Sequence, residues 1–384
     1  MSGDKNLERR IIDRIEAEGP IAFADFMEAA LYDPKEGYYS SGRQTPGFEG
    51  DYFTSPSFSP AFGMTLARFF PLVDDALGAP DIFQVVEFGA NEGRLAKQIL
   101  DALRDNFLNI YERTRYICIE RGEASRKKGA EACADHDNIE WASDISGIKP
   151  ADGLVISNEF FDALPTHRVV MRDDGLREIM VGVKDGKFTQ TEATPTNKQF
   201  ADYFRLDKID LAPGQEAEVC LEAEKWIKDI ACVIDRGAMV TIDYGYPAYE
   251  LYGHHRKRGT LLAYKGHSVA EDYFDDVGKQ DLTAHVNFTA LVRWGLEAAM
   301  EPVAFTDQLR FFIELGIHEV FAQIEAASTS YSDFQAAVQS AKALVMPGGM
   351  GETFKVLIQQ KGLGEEAAES LKAKISTKYK FELP

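Results

Sequence analysis

The sequence predicts an α/β protein organised around a Rossmann-like parallel sheet. Three observations carry that expectation. Short runs rich in β-branched and apolar residues, at 85–88, 115–120, 153–157 and 238–243, are too brief for helices and read as buried strands. Helical patterns separate them, the clearest placing Leu95, Ile99, Leu100 and Leu103 on one face. Between the first run and that helix, Gly89 and Gly93 bracket a turn. Strand, glycine turn and helix N-terminus make the opening βα unit of a nucleotide-binding sheet, where backbone N–H groups approach a ligand closely.

Taken in order, residues 7–30 read as two helices broken at Gly19-Pro20, with Ile11, Ile12 and Ile15 on one face of the first. The aromatic, glycine-rich stretch at 31–63 is long without periodicity, which suggests function, although a self-packed Ω-loop would look alike. A helix with Met64, Leu66 and Phe69 leads to the first strand. The second strand ends in Glu120, the third near Trp141 leads to Asp144 and Ile145, and the fourth enters Asn158-Glu159-Phe160-Phe161-Asp162. From His167 to Phe188, alternation and the turn pairs Asp174-Gly175 and Asp185-Gly186 read as a β-hairpin insertion. Helical material around 216–229 returns the chain to the fifth strand at 238–243. Residues 246–287 read as irregular, followed by a helix at 288–299, a strand at 302–305, helices at 306–327 and 332–345, and a last strand at 353–359. The expected organisation is an N-terminal helical region and loop (1–78), then a sheet domain (79–362) with insertions at about 166–235 and 246–287 and a helical insertion at about 306–347. A charged, solvated helical tail (363–384) ends it.

Composition narrows the partners. A chain of 384 residues with 45% hydrophobic and 27% charged residues can bury an ample core. No run approaches 18 apolar residues, so no membrane span is expected. The N-terminus lacks an apolar signal region and is acidic for a transit peptide. A net charge of −20 disfavours DNA or RNA as partner and suits a cationic substrate. Cys118, Cys133, Cys220 and Cys232 show no metal-ligand spacing and read as free thiols of a reducing compartment.

The spacing of the glycine turn selects the ligand. A dinucleotide fingerprint from Gly89 would need glycines where the chain has Asn91 and Arg94, and no P-loop Gly-Lys-Ser/Thr follows. What stands there is E-x-G-x-N-x-G, with Glu87 two residues before Gly89. A carboxylate at that place suits a ligand with an ammonium group and no pyrophosphate, although an ordinary βα turn could carry the same residues. Glu120 lies 27 residues after Gly93, near the offset at which nucleotide-binding units set a carboxylate on ribose hydroxyls. Asp144, read by itself, has the chemistry of a helix N-cap.

Several blocks then occur in one order: GDYFTSP (50–56), EFGANEG (87–93), NEFFDALP (158–165), IDYGY (242–246), DLTAHVNF (281–288) and MGETFKVLIQ (350–359). With them the chain closely resembles the MidA-like family of S-adenosylmethionine (SAM)-dependent methyltransferases, from about Pro20 to Lys361. The resemblance implies a class I SAM-methyltransferase sheet of seven strands and SAM as cofactor. It places the cofactor at Glu87, Gly89, Ala90, Asn91, Gly93, Glu120, Asp144, Ile145 and Asn158. Mitochondrial members methylate an arginine of a core subunit during assembly of respiratory complex I. A protein substrate presenting an arginine is therefore expected here, in the bacterial cytoplasm, or in the mitochondrial matrix for a eukaryotic source. Whether the chain forms a homodimer stays open. Two positions depart from the family pattern: Ser57 and Asn287 stand where it usually or often has carboxylates.

The chemistry can be argued from the residues. Methyl transfer from a sulfonium is an in-line displacement, so catalysis is mostly positioning. A guanidinium is permanently charged and a poor nucleophile, and it needs carboxylates to orient it and take its proton. Glu159 and Asp162 are the first candidates, able to share a face if 160–162 begin a helical turn. Asn158 and Asp243, at the ends of the fourth and fifth strands, complete the expected catalytic set. Capping and solvent exposure are the plainer alternatives for these acids. His285 reads as structural, His254 and His255 as a solvated loop, and no metal is expected. A methyltransferase acting on a small molecule, and a non-catalytic SAM-binding assembly factor, are the competing readings.

Overall fold

The computed structural model describes residues 6–40, 59–265, 268–328, 330–346 and 348–381. Helices Leu7–Glu18 and Phe23–Tyr32 flank the short strand β1 (Ile21–Ala22), and helices Ala61–Ala67 and Phe70–Leu77 follow. Then come β2 (Phe83–Phe88), helix Arg94–Asn106, β3 (Thr114–Ile119), helix Glu123–Ala132, β4 (Ile139–Ala142) and β5 (Ala151–Asn158). The next section holds β6 (His167–Arg172), β7 (Gly175–Lys184), β8 (Lys187–Ala193), β9 (Glu216–Val219), helix Glu222–Ala231 and β10 (Ile234–Tyr246). Four short strands follow: β11 (Leu262–Lys265), β12 (Ser268–Val269), β13 (Asp281–Thr283) and β14 (Val286–Asn287). Helix Phe288–Glu297, β15 (Glu301–Asp307), four further helices, β16 (Phe354–Lys361) and helix Glu365–Lys374 end the chain.

The main sheet runs β15-β16-β10-β5-β2-β3-β4, with β14 added beside the end of β10. β10, β5, β2, β3 and β4 are parallel, and β16 lies antiparallel between β10 and β15. Every residue of β2 is buried, as a central parallel strand covered on both faces requires. One face packs Phe62, Phe70, Ile99, Leu100 and Phe312, the other Phe161, Phe200, Phe288 and Trp294. The chain leaves β2 toward β3 on one side and reaches β5 on the other. That reversal opens a crevice at the carboxyl ends of β2 and β5, where such sheets bind ligands.

Four details differ from the sequence reading. The expected hairpin is part of a five-stranded sheet, β1-β7-β6-β9 with β8 on β7, and the N-terminal helices pack on it through Phe23, Phe26 and Val181. Residues 216–219 are strand, not helix, because Ala217 and Val219 enter the core at period two. The segment 246–287 contains a three-stranded sheet, β12-β11-β13. The tail is docked rather than solvated. Leu371 and Ile375 are buried, and the N–H groups of Lys378 and Tyr379 both donate to the Phe305 carbonyl.

Candidate active site

The crevice is built from three strand ends. After β2, Gly89 (φ +68°) and Asn91 (φ +46°) take left-handed backbone, which folds the turn back onto β3. The N–H groups of Gly89 and Ala90 both donate to the Ile119 carbonyl, at 3.0 and 3.2 Å. A Cβ at Gly89 would meet the Phe160 ring at 3.2 Å, so packing against 158–165, as well as φ, demands glycine. Gly93 starts the helix, and a Cβ there would strike Trp141 at 3.0 Å. It serves helix–strand packing and does not line the cleft.

Glu120, just past β3, accepts from the Asn91 N–H (3.0 Å) on one oxygen and the Gly122 N–H (2.7 Å) on the other. Its carboxylate is thereby fixed at the wall of the cleft with lone pairs to spare. Burial still raises its pKa, against the pull of those two donors. Glu87 is buried at the end of β2, accepts from the Tyr116 hydroxyl at 2.6 Å, and is pushed up to about 8 by burial.

The turn after β5 carries most of the acids. Glu159 has φ +50°, an uncommon conformation for a residue with a side chain, and its N–H donates to the Ile242 carbonyl at 3.0 Å. Asp243, at the end of β10, explains why this shape holds. Its carboxylate accepts from the N–H groups of Phe160 (3.2 Å), Phe161 (2.9 Å) and Tyr244 (2.8 Å). Asp243 is fully buried, raised to about 7 by burial, and absent from the cleft lining, so it positions the turn rather than meeting a ligand. The expected helical turn at 160–162 does not form: the backbone there is irregular, and Asp243 holds the Phe160 and Phe161 N–H groups. Asp162 nevertheless reaches the same cleft as Glu159. It is buried and raised well above the usual carboxylate range by burial first, then by Asp243, Asp281 and Glu159.

Seven acidic side chains line the described cleft (Glu87, Glu92, Glu120, Glu159, Asp162, Glu222 and Asp281) against two arginines, Arg94 and Arg121. Arg121 is already paired with Glu28 at 3.0 Å. Ala90, Asn91 and Asn158 lie in the lining too, and Asn158 donates to Glu159 at 3.1 Å. Asp144 and Ile145 do not reach it. Asp144 is exposed and holds its own loop, accepting from the Ser146 N–H at 2.7 Å, while Ile145 packs on the core.

Sequence reasoning passes over Asp281, Tyr32 and Tyr39. Asp281 comes from β13, accepts from the Tyr39 hydroxyl at 2.6 Å and is raised to about 6 by burial. Tyr32 stacks on Tyr39 at 5.5 Å and donates to the Ala163 carbonyl at 3.0 Å. The only signals are the block at 281–288 and the aromatic stretch, neither of which picks out these side chains. Ser57 lies outside the described residues, as does the rest of 41–58 in the aromatic stretch. Asn287 lies away from the cleft. It caps the helix Phe288–Glu297 by accepting from the Ala290 N–H at 3.1 Å and donates to Asp207 at 2.7 Å. A second carboxylate there would face Asp207, so asparagine suits the pairing.

The strand order and crevice define the class I methyltransferase fold. Residues 65–306, more than half of the chain, match the family described as "Putative S-adenosyl-L-methionine-dependent methyltransferase". A crystal structure of a Burkholderia thailandensis protein bound to S-adenosyl-homocysteine superposes with a TM-score of 0.84 at 32% identity, covering 93% of this chain and 92% of that one. Human protein arginine methyltransferase NDUFAF7, mitochondrial, is 26% identical, with 90% of this chain and 81% of that protein covered. Its zebrafish counterpart from Danio rerio is also 26% identical, over 92% and 86%. The chain belongs to this family of SAM-dependent methyltransferases, and SAM is its cofactor.

The residues present fit that cofactor. Asn158 Oδ1 is buried in the cleft wall without a hydrogen-bond partner among the described residues, an acceptor that a ligand donor would satisfy. Glu120 offers the paired oxygens a ribose diol needs, and Glu87 a carboxyl near an ammonium. No helix among the described residues is long and apolar enough to cross a membrane.

Proposed function

We propose that the chain is a protein-arginine N-methyltransferase. One observation carries this reading: Glu159, Asp162 and Asp281 converge on the cleft that holds the cofactor-turn residues, in a lining dominated by acids. Such a wall attracts a cation, and a guanidinium fits it better than a lone ammonium because planar, forked donors match several carboxylates at once. SAM supplies the electrophilic methyl group. Glu159 and Asp162 hold the acceptor nitrogen in line and localise its charge, Asp281 grips the outer end, and Asp243 keeps the turn rigid. The names of the mitochondrial relatives support arginine as acceptor. The family resemblance extends the proposal to a core subunit of respiratory complex I. The test is incubation with labelled SAM and extract of cells lacking the gene, followed by mass spectrometry of the labelled species. Label on arginine supports the reading; label on lysine, a carboxylate or a small molecule rejects it.

A further inference from the structure

Behind the turn at 159–164 lies a second cavity of ≈ 20 Å³, enough for ordered water and too small for an organic ligand. Asp162 lines both this chamber and the cleft, and Glu218, Cys220, Ala223 and His285 line the chamber. Three buried atoms of these residues lack a hydrogen-bond partner among the described residues: Asp162 Oδ1, Glu218 Oε1 and His285 Nδ1. Buried polar atoms are normally satisfied, and where side chains do not serve, water does. They do not form a metal site. The one triad of such groups whose ligand atoms lie within 4.8 Å of one another, among the described residues, is Asp101, Asp135 and His136 elsewhere.

The three groups differ in what they can do with a proton. His285 is held down to about 4 by burial and by Arg256 and Lys355, so it stays neutral. Burial raises Glu218, opposed by Arg168 and by Thr260, whose N–H and hydroxyl both donate to Oε2 at 2.9 and 3.1 Å. Asp162 is raised by burial and by Asp243, Asp281 and Glu159. Both carboxyls therefore take up protons far more readily than exposed acids do.

Resting on an arginine acceptor in the cleft, we propose that this chamber is water-filled and receives, through Asp162, the proton that methyl transfer releases, with Glu218 as the group that holds it. As the nitrogen–methyl bond forms and the carbon–sulfur bond breaks, the sulfur keeps the electron pair and the acceptor nitrogen loses one N–H proton. Asp162 takes that proton, chamber water passes one on, and Glu218 becomes a neutral acid, so charge and atoms balance. Before the step the cation beside Asp162 favours its ionised form, and Arg168 and the two Thr260 donors favour that of Glu218, so both can accept a proton.

The test compares the wild type with Glu218→Gln and with Ala223→Val, which narrows the chamber without touching a carboxyl. An arginine-containing acceptor protein, SAM calorimetry and infrared titration of the ligand-free protein give the readouts. Both variants should bind SAM and keep the acceptor KM within about twofold. Both should lose at least about tenfold in kcat, with a shifted acid limb, less than the roughly hundredfold or more of a direct acid–base group because Asp162 itself stays in place. Glu218→Gln should also remove one carboxyl band that appears in the wild type only as the pH is lowered. Arginine labelling by the wild type with unchanged kcat and pH profile in both variants overturns the relay and leaves the arginine reading standing. No arginine labelling by the wild type removes both. If Glu218→Gln does not fold, Ala223→Val and a high-resolution structure decide, and a chamber without ordered water overturns the proposal.

Discussion

Replacing Glu120 with alanine isolates the cofactor side of the cleft. In the wild type two backbone N–H groups, from Asn91 and Gly122, hold one carboxylate oxygen each, and the remaining lone pairs face the cleft. Deleting the side chain frees both N–H groups, but water entering the cleft can reach them, so the fold should tolerate the change. The loss falls on the ligand. Hydrogen bonds to a charged acceptor contribute about 1.5–3 kcal/mol. Part of a two-bond loss is recovered by water, so the same range is a fair estimate for the pair, or roughly 10- to 150-fold in Kd. Calorimetric titration with SAM, beside a melting curve, measures it. A folded Glu120→Ala protein that binds SAM like the wild type would show that the carboxylate only stitches the Asn91 and Gly122 turns.

Three other outcomes follow from the same geometry. Glu87 is raised to about 8, so the folded state keeps a proton that the unfolded chain loses near its ordinary value of 4.5. Stability from this group is present below about 4.5 and lost as pH rises toward 8, and Glu87→Gln should flatten the fall of melting temperature across that window; an unchanged slope counts against a buried neutral acid. Asp243→Asn leaves an amide NH₂ against at least one of three backbone donors, which should cost about 1–3 kcal/mol and loosen the turn at 159–162, seen as a lower denaturation midpoint and reduced turnover. Leu371→Ala should cost about 2–5 kcal/mol by chemical denaturation if the tail is part of the core, and close to nothing if it is not.

What the sequence shows and what it hides divide along local and long-range lines. The glycine turn, the strand-end acids and the helix at 94–106 are legible because their signals are periodicity, turn chemistry and spacing within some thirty residues. The placing of Asp281 beside Asp162 is not, because it depends on a three-stranded insertion whose strands have two to four residues each. Asp243 illustrates a subtler limit. Its position at the end of the fifth strand is readable, yet only the fold shows its carboxylate turned toward the Phe160 and Phe161 N–H groups and away from the cleft. The tail misleads for a compositional reason. Glu365–Lys374 is mostly charged and alanine, and its one strong anchor, Leu371, reveals itself only when packed.

The central claim, that Glu159 and Asp162 grip an arginine side chain beside the bound cofactor, is tested most directly with the isosteres Glu159→Gln and Asp162→Asn. Each should leave SAM affinity near the wild-type value while methyl incorporation into the acceptor protein falls by about a hundredfold or more, since the lost contacts act mainly in the transition state. Mass spectrometry should place the wild-type label on arginine. Variants that bind SAM normally and transfer methyl at the wild-type rate, or a wild-type label on any other group, would contradict the account.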